Sequence, residues 1–289
     1  MSGQQRRGAT AGLIMALMAG HGAHAADEGR LLATGGLVGI EGSAAGALVP
    51  MAVLAGLSTD PGWDWIAGAS HLGLGDFAFD SVGIAASFDD RFELSLAEQR
   101  LGLDFDPGAG LPRRLRQTIV GAKLKLGGDL IFGHLPQVSA GLQWKQNHDD
   151  ALADALGADQ DHGLDAYVSV SRLLLDGPFH RNWLFNGGAR LSRANETGLL
   201  GFGARGDQGY DLLGEVSTAV FFDPHWALGM EYRQKSQHLP GIDESDWRDV
   251  FVAWFPNQRF NLVVAYADLG TIANRRDQDG LFVSMTGNF

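Results

Sequence analysis

Ten charged side chains in this sequence fall where strand periodicity would gather them on one face: Glu93, Lys123, Lys125, Lys145, Asp165, Arg190, Glu215, Glu231, Arg233 and Lys235. Acids and bases mixed on one face can do two kinds of work. They can bridge neighbouring strands and stiffen a wall, or they can line a hydrated path whose opposed charges orient polar solutes. Other residues invite other chemistry. Gly201-Phe-Gly-Ala-Arg-Gly206 matches G-x-G-x-x-G. A dinucleotide site, however, needs a strand before the motif, a helix after it and an acid about 20 positions on. Here the match lies in a polar stretch that returns to strand pattern at Tyr210, so the glycines read as loop residues and no cofactor is assigned.

His148-Asp149-Asp150 and Asp159-Gln160-Asp161-His162 bracket a loop whose middle, Ala151–Leu156, suits a short helix. Its oxygens could serve calcium and its imidazoles a transition metal. Neither an EF-hand spacing nor H-E-x-x-H is present, and the plain reading is a solvated acidic loop with no metal assigned. His71, His134, His180, His225 and His238 are scattered, none beside a G-x-S-x-G nucleophile context. No catalytic residues are assigned. A barrel enzyme acting on lipid or surface substrates stays an alternative.

The elements that would position the charged set are strands. Ser81–Phe88, Phe92–Ala97, Gln117–Leu126, Gln137–Lys145, Trp183–Ser192, Trp226–Arg233, Phe260–Tyr266 and Leu281–Phe289 all alternate apolar and polar residues. Alternation at a period of two gives one apolar and one polar face. Tight turns at Asp89-Asp90, Asp176-Gly177-Pro178, Asp223-Pro224 and Pro256-Asn257 alternate with longer polar stretches at 104–113, 148–163, 193–209, 237–246 and 270–280. Short turns at one end and long loops at the other are the mark of an outer-membrane barrel. Counting segments predicts a single antiparallel transmembrane barrel of 12–14 strands, with 14 preferred if Leu32–Ile40 and Leu48–Leu57 are strands. Twelve follows if that first pair is a lid or plug around the Gly/Ala-rich 41–47.

Energetics choose the facing. With the faces reversed, Lys123, Lys125, Lys145, Arg190, Arg233 and Lys235 would meet lipid, at roughly 2–4 kcal/mol for each near the midplane. Trp144, Trp183, Trp226, Tyr232, Trp254 and Tyr266 lie near strand ends, where interfacial girdles form. A soluble sandwich also alternates, but it requires bulky interlocking core faces. Here Ala, Gly, Val and Leu dominate one face and mixed charges the other.

Residues 1–25 read as a cleavable secretory signal: Arg6 and Arg7, a short apolar run from Ala11 to Ala19, then Ala23-His24-Ala25. The barrel domain is then 26–289. Losing Arg6 and Arg7 takes the formal charge from −12 to −14, which disfavours nucleic acid as a partner. The absence of cysteine leaves stability to packing and lipid. The final strand, ending on Phe289, resembles the signal read by the barrel-assembly machinery, which with outer-membrane lipid is an expected partner.

Several segments together resemble an uncharacterised family of Gram-negative outer-membrane barrel proteins, a domain of unknown function. They are Gly29–Gly36 (GRLLATGG), Gly198–Gly203 (GLLGFG), Glu231–Lys235 (EYRQK), Asp246–Asn257 (DWRDVFVAWFPN) and Ala265–Gly270 (AYADLG). The resemblance implies an outer-membrane barrel and carries no activity with it. The expectation is therefore a porin-like channel for small polar solutes in the outer membrane, lined by the ten charged residues. A closed structural or surface-interaction barrel is the other alternative to an enzyme.

Overall fold

The computed structural model describes residue 31, residues 34–57 and residues 61–289; the signal expected over residues 1–25 lies outside them. Twelve strands close into one antiparallel barrel: β3 (Trp63–Gly73), β4 (Phe77–Phe88), β5 (Phe92–Leu103), β6 (Arg114–Gly127), β7 (Gln137–Asn147), β8 (His162–Leu174), β9 (Asn182–Ser192), β10 (Asp211–Phe221), β11 (Trp226–Arg233), β12 (Trp247–Asn257), β13 (Phe260–Asp268) and β14 (Asp279–Asn288). Each pairs with its sequence neighbours, and β14 pairs with β3 from Leu281↔Gly73 to Asn288↔Ile66. Phe289 continues that seam, its N–H donating to Trp65 O at 2.9 Å. Closure leaves no strand edge unpaired, which a backbone in hydrocarbon requires.

The preferred count of 14 strands is corrected to 12 in the barrel. Among the described residues of the two expected segments, only Leu37–Val38 (β1) forms a strand, and it pairs with β2 (Ala44–Ala45), which lies in the stretch expected to connect them. The whole of 34–57 lies inside the barrel, buried throughout except for half-buried Leu37. The first wall strand is β3. Its inward positions include Ile66, Gly68 and Leu72, which pack against the inner segment, so its alternation is blurred in the sequence.

The outer face carries the expected belt, with Ile84, Leu96, Val120, Leu142, Val168, Val216, Met230 and Val252 all exposed. Near the short-turn end, Trp63 stacks with Trp65 (5.9 Å) and Trp226 with Trp254 (5.8 Å). Tyr232 and Tyr266 stand exposed at the opposite end. This is a membrane-spanning, outer-membrane type of barrel. Connections at the end shared by Trp63 and Phe289 are mostly tight, although 128–136 is longer. The other end carries 104–113, 148–161, 193–210, 234–246 and 269–278, with only 74–76 short.

Leu96→Arg places a guanidinium in the middle of this belt. Its folding into vesicles, followed by urea titration, is expected to lose about 2–4 kcal/mol; a loss under ~1 kcal/mol would put position 96 at an interface instead.

Candidate functional site

The interior is a binding site for the protein's own backbone. Inward positions of the strands supply hydroxyls and amides, and these reach the main chain of 34–57. Gln137 and Ser139 donate to Ala52 O (2.7 and 2.5 Å), Ser169 and Asn186 to Pro50 O (3.2 and 3.1 Å), and Ser81 and Gln99 to Ile40 O (2.7 and 2.8 Å). Acceptors do the converse. Thr286 takes Val38 N (3.0 Å), Ser171 takes Ala52 N (2.9 Å), and Glu93 takes both Ala44 N and Ala55 N (3.1 and 2.8 Å). A buried main-chain group costs free energy unless paired, so this dense lacing is what lets an irregular segment sit at membrane depth. The approach is close. Gly42, at φ +87, sits where a Cβ would come within 2.8 Å of Ala97, and a Cβ on Gly46 would lie 1.9 Å from Glu231 Oε1. Both ends of the segment lie together, joined by Gly56 N to Gly35 O (3.1 Å). They lie towards the short-turn end, where Ser87 donates to Ala55 O (2.5 Å).

One side chain of the segment enters the charged wall. Glu41 Oε1 lies 2.6 Å from Lys145 Nζ and 2.8 Å from Arg233 Nη2, and Glu41 Oε2 lies 3.0 Å from Arg190 Nη2. The wall holds these cations in place. Asp165 contacts Lys145 (2.8 Å) and Arg190 (3.3 Å), Glu215 contacts Arg190 (2.7 Å) and Arg233 (3.3 Å), and Gln143 accepts from Arg190 (2.7 Å). The Arg190 guanidinium also lies over the Tyr167 ring, 5.2 Å from its centre. Each of these charged side chains is at most 4% exposed, so the cluster is dry and each charge depends on the others.

Of the ten charged residues singled out, Glu93, Lys123, Lys145, Asp165, Arg190, Glu215, Glu231 and Arg233 are buried in the interior. Lys123 pairs with Glu93 (3.3 Å) and donates to Ala44 O and Val53 O (2.6 and 3.0 Å). Glu231 accepts Leu48 N (2.6 Å) and stands in register with Asp249 on β12. The remaining two lie at the ends. Lys125 pairs with Asp90 of the β4–β5 turn (2.6 Å), and Lys235 with Glu196 of the β9–β10 loop (2.5 Å).

That β9–β10 loop is not an outward polar connection. Residues 194–204 fold back and are buried. Thr197 O accepts from Lys145 (3.1 Å) and Gln117 (3.3 Å), and Leu199 O from Asn147 (2.7 Å). Glu196 and Thr197 take left-handed backbone (φ 42° and 59°), a strained turn that aims these carbonyls down the lumen. Between this cap and the Glu41 cluster lies a cavity of about 10 Å³, lined in part by Lys145, Arg190, Thr197 and Arg233, enough for about one water. The G-x-G-x-x-G glycines serve the cap's turns, Gly201, Gly203 and Gly206 all having positive φ.

The acidic loop carries the expected helix, α1 (Ala151–Leu156), and its polar groups face neighbours. Asp149 meets Arg116 (2.9 Å), His148 meets Thr118 (2.8 Å) and His162 meets Asp161 (2.7 Å). Among the described residues no three such groups converge as a metal centre. His71, His180 and His225 each pair with a nearby aspartate, and His238 lies between Asp207 (3.2 Å) and Asp211 (3.3 Å). Glu41 was missed in the sequence. Its signal is a lone acid within a Gly/Ala-rich stretch, a charge that such surroundings cannot solvate.

The chain matches over residues 34–286 the family described as protein of unknown function (DUF3034). It belongs to that family. The matched range takes in both the inner segment and the barrel wall. No curated protein matches. Among solved structures it is similar to the KdgM porin, at 13% identity over 78% of this chain and 99% of that one, with a TM-score of 0.49. It is also similar to the outer membrane protein Omp33 of Acinetobacter baumannii, at 9% identity over 78% of this chain and 98% of that one, with a TM-score of 0.47. An outer membrane channel from Pseudomonas putida F1 shares 11% identity over 80% of this chain and 97% of that one, with a TM-score of 0.46.

Two outcomes follow from the site. Arg190→Ala leaves Glu41, Asp165 and Glu215 short of a buried cation and is expected to cost about 3–5 kcal/mol, read as a lower temperature for loss of the compact band on unboiled gels. The second concerns the cap. Burial pushes the Glu244 carboxyl up to about 7, with Lys235 pulling it down and Glu196 adding to the rise. Its Oε2 accepts Glu196 N (3.0 Å). The folded form therefore keeps this proton above the ordinary value of 4.5, and the cap loses stability as pH rises from there through about 7. Hydrogen exchange at amides 194–204, corrected for intrinsic rates, should speed up across that window in the parent and not in Glu244→Gln. Equal profiles would assign the pH response to another group.

Proposed function

We propose that the protein is a porin-like channel for small polar solutes that rests shut on its own N-terminal segment. The observation that carries this reading is how the plug is attached. Among the described residues, the backbone hydrogen bonds of 34–57 stay within the segment, and the wall holds it by side chains alone. It can leave without breaking any barrel ladder. The wall would then face the lumen with Ser, Gln, Asn and charged groups, which suit a hydrated path. Twelve strands also enclose more width than wall side chains fill, so removing the plug leaves a passage from the short-turn end up to the cap. A permanently closed structural barrel is the second reading, favoured by the dry ion cluster and the inward cap.

A disulfide separates the two. A Cβ on Gly68 would lie 2.9 Å from Val38 Cβ, within about 1 Å of disulfide spacing. The sequence has no cysteine to compete. Val38→Cys/Gly68→Cys should be silent in planar bilayers when oxidised and show parent-like openings after reduction. Equal conductance in both redox states would remove the plug as the gate. Silence of the parent and of the reduced variant would favour the closed barrel.

A further inference from the structure

The wall cluster that grips Glu41 has the composition of a carboxylate receptor. Lys145, Arg190 and Arg233 bring three positive charges, and the wall answers them with only two carboxylates, Asp165 and Glu215. The third carboxylate comes from the plug. Both of its oxygens are bound, Oε1 by Lys145 and Arg233 and Oε2 by Arg190. The receptor is rigid independently of Glu41. Gln143, Asp165, Glu215 and the Tyr167 ring fix the Arg190 head group, and Glu215 also fixes Arg233.

Glu41 reaches the cluster from a tight bend closed by Gly42 N to Gly39 O (2.9 Å), flanked by Ile40 and Gly42. It presents little more than a side-chain carboxylate to the wall. Among the described residues the nearby acids Glu231 and Asp249 form no ion pair with the three cations, and in the closed state Glu231 is turned to Leu48 N (2.6 Å). When the plug leaves, the cluster itself keeps one unit of positive charge, carried by an ammonium and two guanidinium groups of the kind that form charge-assisted hydrogen bonds to a carboxylate.

We propose that Lys145, Arg190 and Arg233 form a binding site for a small carboxylate anion, and that Glu41 is its built-in occupant in the closed state. Resting on the channel reading above, this makes the transported solute an acid, and its carboxylate the group that takes over from Glu41 as the plug withdraws.

The test uses the full-length protein carrying Glu41→Ala, with propionate and its neutral isostere propionamide as probes. The variant should lose its compact gel band at a lower temperature than the parent. Propionate should restore that temperature saturably, with apparent affinity at least about tenfold tighter than propionamide or equimolar chloride, the discrimination one charge-assisted pair supplies. The parent, its site filled by Glu41, should respond far less. Equal responses to propionate, propionamide and chloride would overturn the carboxylate site. Should Glu41→Ala fail to fold, Glu41→Ser likewise removes the carboxylate, vacates the same space, leaves the same excess charge, and is titrated with the same probes and the same criterion. Bilayer recordings separate this proposal from the one it rests on. Propionate protection without any conductance in the reduced Val38→Cys/Gly68→Cys protein upholds the site and overturns the channel. Conductance without preference for propionate upholds the channel and overturns the acidic solute.

Discussion

A closed sheet in a membrane settles the hydrogen bonding of its own backbone and leaves the problem of its inside. Twelve strands are more than wall side chains can fill, and an unfilled polar interior must be hydrated or occupied. This chain occupies it with residues 34–57, and the rest of the interior follows from that choice. A segment without a ladder of its own beyond β1 and β2 brings many main-chain donors and acceptors to membrane depth. Each needs a partner, so the inward positions of β4, β5, β7, β8, β9 and β14 carry short hydroxyl and amide side chains in place of bulk. Where the two backbones press together, the plug has Gly42 and Gly46.

The ion cluster shows the same logic for charge. Burying a single ion is prohibitive, whereas a neutral group of six mutually paired ions is tolerable. Glu41 completes that neutrality from a different part of the chain than the other five. The consequence is a coupling between plug position and the electrostatics of the cluster: its charges balance only while Glu41 is in place. Side chains alone join the two, and each such link contributes modestly against solvent competition. A segment held this way is stable as a whole yet free of any ladder that must be torn.

The cap adds a second closure from the long-loop side. Thr197 O meets Lys145 from above while Glu41 meets it from below, so one ammonium group is shared by both barriers. Glu196, Lys235 and Glu244 join the β9–β10 and β11–β12 loops over the mouth. The two closures differ in chemistry: the plug is held mainly by neutral hydrogen bonds and one ion cluster, the cap by loop carboxylates at the water boundary.

Strand period and facing were legible because they follow from local rules. Ile84, Leu96 and Val120 had to meet lipid, and Glu93, Lys123, Lys145 and Arg190 could not. The tight turns at Asp89-Asp90 and Asp176-Gly177 were legible for the same reason, since all three aspartates adopt positive φ. Three features resisted. Segments 32–40 and 48–57 have the apolar content of strands, and only the position of 34–57 inside a finished barrel makes that stretch a plug. β3 lost its alternation because its inner side touches that plug. The loop at 193–209 looked solvated by composition, yet its carbonyls are drawn inward by Lys145, Gln117 and Asn147, residues far off in sequence. The sequence by itself determined that this is a membrane barrel, because side-chain period is a property of neighbouring residues. Which segments fill the lumen, and that Glu41 rests among Lys145, Arg190 and Arg233, were decided only by the tertiary structure, because charge compensation between β7, β9, β11 and the plug has no trace in local order until the barrel closes.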